Sequence, residues 1–178
     1  MLDTARPDAA QEFKGLTFDA IAAYGNGRYA NYEAARRDFP RLHLLEIDVT
    51  GAGIGNAGDF EKGDMQYEHA GPWAKERIAA GVCRPVVYFS ASNWGEVMRS
   101  LEEAGVARSE VRIWTAHYTG KEHRCSSGCR FGITGTADAT QWGSSDYPQT
   151  LPNVYVQRVV DVSQTADDFW NSVPLRSP

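Results

Sequence analysis

Apolar residues along this chain fall in short runs, each closed by glycine, proline or a polar cluster, and that punctuation predicts a series of strands and helices. Residues 16–24 read as a first strand ending at the turn signal Gly25-Asn26-Gly27. Residues 29–38 read as a helix, with Asn31 as candidate cap and Pro40 as stop. Residues 42–49 form a second strand, and a glycine-rich stretch leads into a short third strand over 58–61. A helix over 71–80 carries Pro72 in its first turn and Gly81 after its end. Residues 85–90 are the fourth strand. The clearest helix spans 93–104, with Val97 and Leu101 one turn apart on one face and Gly105 as its stop. Residues 111–116 are the fifth strand, and about twenty residues without periodicity follow. Strands over 137–142 and 154–162 and a short helix over 164–172 complete the series.

Strand and helix alternate in the first half, as in an α/β fold, but the later strands lack intervening helices. That order predicts either an irregular TIM-like (β/α) barrel or an open α/β sheet. The first fourteen residues are polar and read as a flexible arm, leaving residues 15–178 as one domain. A chain of 178 residues buries about 70% of the surface its unfolded form exposes.

Composition narrows the classes of function. With 42% apolar and 23% charged residues the chain is of globular type, and a net charge of −5 argues against a nucleic-acid partner, which wants a basic face. No apolar run approaches the roughly 18 residues of a membrane span, so no membrane insertion is expected. The amino-terminal segment has no signal-peptide core, so the expectation is either that the chain stays where it is made or that something else releases it.

The residues richest in chemical potential lie at strand ends. Asp59 and Glu61, two apart, share one face of an extended segment that opens into a glycine turn. Paired carboxylates suit proton transfer and stabilisation of positive charge at an anomeric carbon; the alternative is a solvated turn with Lys62 beside a carboxylate. Tyr88, Trp114, Tyr118 and Trp142 mark the ends of the next three strands, as core residues or as platforms for sugar rings. Asp48 closes the second strand, either at the same rim or as a plain turn residue. Asp64 and Glu68 read as surface or capping residues, and Cys83 as a small buried one. His117, His123, Cys125 and Cys129 are spaced as a zinc set, as a local Cys125–Cys129 disulfide beside two histidines, or as free thiols. His117, at a strand end, is also a candidate for substrate contact. There is no nucleophile-elbow, phosphate-loop or dinucleotide motif.

Taken in order, Asp-x-Glu at 59–61, Pro-Val-Val-Tyr at 85–88, Ile-Trp-Thr-Ala-His-Tyr at 113–118, Thr-Gln-Trp at 140–142 and Val-Val-Asp-Val at 159–162 resemble the family 25 glycoside hydrolases, the lysozyme-like muramidases. The likeness is greatest to the family-25-like domains of actinobacteria and their phages. It implies an eight-stranded barrel with fewer than eight helices and cleavage of the glycan backbone of bacterial peptidoglycan, by an endolysin or a wall-remodelling enzyme acting at the cell wall. It implies Glu61 as general acid, Asp59 as the group that stabilises positive charge or positions the substrate N-acetyl group, and Asp161 as a last-strand acid facing the same pocket. Tyr24, Asp48, Tyr88, Trp114, His117, Tyr118, Gln141 and Trp142 are then expected to bind substrate, and neither cofactor nor metal is expected to take part. The family's first strand carries an early Asp in a Gly-Ile-Asp-Val-Ser run. In the strand over 16–24, Asp19 stands at the wrong end and Tyr24 takes the rim. That departure motivates the alternative of a weak or inactive barrel that binds wall glycan or serves as a structural virion module.

Overall fold

Eight strands follow one another in chain order around a closed barrel: β1 (Leu2–Asp3), β2 (Ala20–Tyr24), β3 (His43–Asp48), β4 (Ala57–Asp59), β5 (Val86–Ser90), β6 (Arg112–Ala116), β7 (Ala139–Ser144) and β8 (Asp161–Thr165). This computed structural model describes residues 1–6, 8, 12–153, 155 and 158–173. Strands β1 to β7 each run parallel to the next. Strand β8 runs antiparallel to both β7 and β1 and closes the ring, which excludes the open sheet. An antiparallel return needs no helical crossover, which accounts for the missing helix between β7 and β8; the parallel pair β6 and β7 is instead joined by a long excursion whose only helical turn is 3-10 (Ser127–Cys129).

Three α-helices lie among the described residues: α1 (Tyr32–Asp38), α2 (Ala70–Ala79) and α3 (Trp94–Glu103). The two-residue period of each strand sorts its side chains between the barrel interior and the outer layer. Ile47, Ala57, Tyr88, Trp114 and Ala139 meet inside. Val87, Phe89 and Ile113 face out and pack under Trp73 of α2 and Trp94, Val97 and Leu101 of α3. Close approach at two glycines makes this outer layer tight. A Cβ on Gly58 would lie 2.8 Å from the Phe60 ring, and one on Gly71 would lie 2.0 Å from the Ser100 carbonyl oxygen.

Hydropathy located most strands within a few residues and failed at the two ends of the chain. Residues 2 and 3, assigned to an arm by their polar surroundings, are a barrel strand. Leu2 pairs with Ile21 and Val162, and Asp3 with Ala22 and Asp161. Two residues cannot display a period, so their membership in the sheet is visible only once the barrel closes. Phe13 is likewise buried, against Phe18 and Phe39. The strand read as first is therefore the second, and it begins at Ala20. Of the strand expected over 154–162, residues 154, 156 and 157 lie outside the described residues, and β8 begins only at Asp161. Gln164 and Thr165, expected in a helix, pair with β7, leaving only a 3-10 turn at Phe169–Ser172. Cys83 is exposed rather than buried.

Leu2 is 1% exposed. Leu2→Ala is expected to lower unfolding free energy by about 2–4 kcal/mol in a urea titration, whereas truncation in a solvated arm leaves stability unchanged.

Candidate active site at the barrel mouth

The carboxyl ends of the parallel strands surround a cleft of roughly 270 Å³. Tyr24 and Asp59 are the last residues of β2 and β4, Asp3 ends β1, and the reversed β8 delivers Asp161 to the same end by its first residue. Phe60 leaves β4 but keeps its alternation: its N–H donates to the Tyr88 carbonyl at 2.8 Å and its ring turns outward onto Trp73. Asp59 and Glu61, on either side of it, both line the cleft.

Six carboxylates line this space (Asp3, Asp59, Glu61, Asp64, Asp146 and Asp161), with no Lys or Arg among the described lining residues. Burial opposes the ionisation of Asp3, Asp59, Glu61, Asp64 and Asp161, reinforced by neighbouring acids for all of these but Asp64. Asp59 is 4% exposed, and its Oδ1 has no hydrogen-bond partner. Burial first, then the charges of Glu61, Asp64 and Asp3, push its pKa well above the carboxylate range. Glu61 rises to about 7 through burial and the acids Asp64 and Asp161. Asp3 and Asp161 are also raised, chiefly by burial, with Asp161 adding to the effect on Asp3.

Gln141 organises the interior of the cleft. Its Nε2 donates to Asp3 at 3.1 Å and to Asp161 at 3.2 Å, while its Oε1 accepts from the phenols of Tyr88 and, at 2.9 Å, Tyr118. A reversed amide would set its oxygen against two carboxylates, so the network fixes its orientation. Asp161 further accepts from the Ser145 N–H at 2.9 Å. The aromatic walls are Tyr88 against Trp114, with ring centroids 4.4 Å apart, and Tyr24 beside the exposed Tyr29. Trp114 Nε1 donates to Ser163 Oγ at 3.0 Å, which holds the indole plane.

Of the residues singled out by sequence, Glu61, Asp59, Asp161, Tyr24, Tyr88, Trp114, Tyr118 and Gln141 come together here. Three others do not. Asp48 is fully buried beneath the loop that follows β3. It accepts from Asn26, from the backbone N–H groups of residues 50–54 and from Trp73 Nε1. Burial alone would raise its pKa, but these donors outweigh it and hold the group below its usual range. Trp142 stands at a β-bulge between Gln141 and Gly143, and its side chain packs outside the barrel with Leu2 and Val162. His117 faces His123 and Cys125 rather than the cleft. Sequence reasoning missed Asp3, because its strand is too short to show a pattern, and Tyr29, which precedes α1 instead of belonging to it.

No protein-family model, curated protein or solved structure matches this chain. The fold and site define it on their own terms, as a closed eight-stranded mixed α/β barrel whose mouth gathers buried acids between aromatic walls.

Glu61 titrates near 4.5 when unfolded and near 7 when folded. The stability that its protonated form confers is complete below the lower value, declines as pH rises between the two, and is absent above the upper one. Glu61→Gln, neutral throughout, is expected to exceed the wild type in unfolding free energy by on the order of 2–3 kcal/mol near pH 8. The gap should narrow toward pH 5 in paired urea titrations.

Proposed function

We propose that this chain is a glycoside hydrolase that cleaves the glycan backbone of bacterial peptidoglycan, in the manner of the family 25 muramidases its motifs resemble. The observation that carries the proposal is the Asp59–Glu61 pair: an acid with a pKa raised to about 7 beside a buried carboxyl oxygen that has no partner among the described residues. Glu61, protonated near neutrality, donates its proton to the glycosidic oxygen as the bond to the anomeric carbon breaks. The sugar then develops positive charge, and a cleft lined by acids, with no Lys or Arg among its described lining residues, favours that charge over the neutral ground state. Asp59, whose side chain lines the cleft, is the group we assign to orienting the N-acetyl group of the substrate. Tyr24, Tyr29 and the Tyr88–Trp114 wall offer faces on which sugar rings stack.

Asp3 bears on the alternative. The binding-only reading rested on a first strand without its early acid. With β1 at Leu2–Asp3, the Leu-Asp-Thr run supplies an inward acid on the first strand, opposite Asp161. That removes the observation which favoured an inactive module. The context that fits the proposal is an endolysin or a wall-remodelling enzyme.

Release of reducing ends from purified peptidoglycan tests the assignment. Glu61→Gln is expected to lower the rate at least ~100-fold. In the wild type, kcat/KM should fall as pH rises through about 7, because the acid must carry its proton. Equal cleavage by both proteins refutes the role of Glu61. Binding of wall glycan with no cleavage by either returns the chain to the class of binding modules.

A further inference from the structure

The excursion between β6 and β7 holds a cluster that the proposed hydrolysis does not use. His117, His123, Cys125 and Cys129 each present one ligand atom, and these atoms all lie within 4.8 Å of one another. Nδ1 of His117 is 3.1 Å from Nε2 of His123, and the Cys125 sulfur is 3.4 Å from the first and 3.8 Å from the second. A tetrahedral zinc ion with bonds of about 2.05 Å to nitrogen and 2.3 Å to sulfur requires nitrogen–nitrogen edges of about 3.3 Å and nitrogen–sulfur edges of about 3.5 Å. The side chains already stand near those edges. Both cysteines are free, so the sulfurs converge on the imidazoles without being joined to each other.

We propose that His117, His123, Cys125 and Cys129 bind one structural zinc ion in a closed Cys2His2 site that fastens the loop after β6 to the barrel. Three further observations agree. The Nδ1–H of His123 donates to the Lys121 carbonyl at 2.8 Å, which leaves the Nε2 lone pair directed at the cluster; metal-bound histidines are held by this kind of outer hydrogen bond. Cys125 is fully buried and anchored at its backbone, its N–H to Thr140 Oγ1 and its carbonyl to the Ala137 N–H, both at 2.8 Å. Immediately after Cys129, Arg130 and Phe131 both adopt positive φ, of 64° and 51°, and the Phe131 ring covers His117 edge-on at 5.1 Å. Non-glycine residues hold that backbone only where surrounding structure enforces it.

Four protein ligands leave no open position for water or substrate, which makes the site structural rather than catalytic. Two neutral imidazoles and two thiolates balance the charge of the divalent ion, and the two thiol protons pass to solvent as it binds. The preference is for zinc, because a mixed two-nitrogen, two-sulfur tetrahedron suits it among common divalent ions.

The full-length chain, purified with a thiol-free reductant and no chelator, is analysed for metals by mass spectrometry. It is then stripped and titrated with zinc chloride against a chromophoric chelator. One zinc per chain is expected, together with the ligand-field and thiolate charge-transfer absorption of a tetrahedral cobalt(II) derivative. Cys125→Ser and His123→Ala are each expected to weaken zinc by more than about 100-fold, beyond what loss of a supporting hydrogen bond costs. Circular dichroism of each variant verifies its fold, and the wild-type titration stands without the variants. Failure of the reduced wild type to compete for zinc overturns the proposal. So does zinc affinity unchanged in both variants, or an intact mass two hydrogens lighter that marks a Cys125–Cys129 disulfide persisting under the reductant. None of these readouts depends on hydrolytic activity.

Discussion

Closure of the barrel through a strand of two residues is the constraint on which the rest of this structure depends. β1 lies between a parallel neighbour and an antiparallel one, and each of its residues is paired on both sides. Leu2 is committed to the outer apolar layer and Asp3 to the interior. Were the ring open between β2 and β8, Asp3 and Asp161 would stand at a solvated sheet edge and titrate as ordinary carboxylates. Closure instead sets them opposite one another out of water, and burial raises both. The fold and the unusual protonation of its mouth are one event viewed at two scales.

Such a concentration of acids opposes folding unless protons or donors compensate. Gln141 supplies part of that compensation without adding charge: its amide nitrogen serves two carboxylates while two phenols serve its oxygen. A Lys or Arg in its place would pair the acids more strongly and hold them ionised. The neutral amide keeps the groups in position and leaves their pKa values high. Glu61 and the unpartnered oxygen of Asp59 lie beyond its reach, and their burial is left uncompensated by it.

Much of this was legible in the sequence, and the exceptions have physical causes. Alternation and glycine or proline punctuation gave the six strands β2–β7 and all three helices to within a few residues, because those segments are long enough to display a period. β1 is too short for one. In β8, alternating Asp161, Val162 and Ser163 carry too little apolar character to announce a strand, and the pairing with β7 settles it. The outward position of Trp142 is the plain alternation of β7, since its neighbour Gln141 points inward, so the two could not both face the cleft; the bulge between Gln141 and Gly143 shifts the register only beyond Gln141. The cluster of histidines and cysteines was visible as spacing, but spacing left zinc, disulfide and free thiols all open and could not show that the four ligand atoms converge within 4.8 Å.

Asp48 and Asp59 show most directly where sequence stops and structure begins. They are the last residues of adjacent strands, both acidic, both within 4% of complete burial. On a string of letters they are equivalent candidates. Around Asp48 the glycine-rich loop turns its N–H groups inward and Trp73 adds a donor, so the charge is fully solvated by protein and the residue acts as a structural anion. Around Asp59 the same polar demand is left unmet on one oxygen, in a space bounded by other acids. Buried polar groups nearly always find partners within the protein or in ordered water. Asp59 Oδ1 has none among the described residues, in a cleft lined by other acids and aromatic rings. The distinction lies in the direction of a few backbone amides, which separates an acid whose charge the fold satisfies from one whose ionisation the fold opposes.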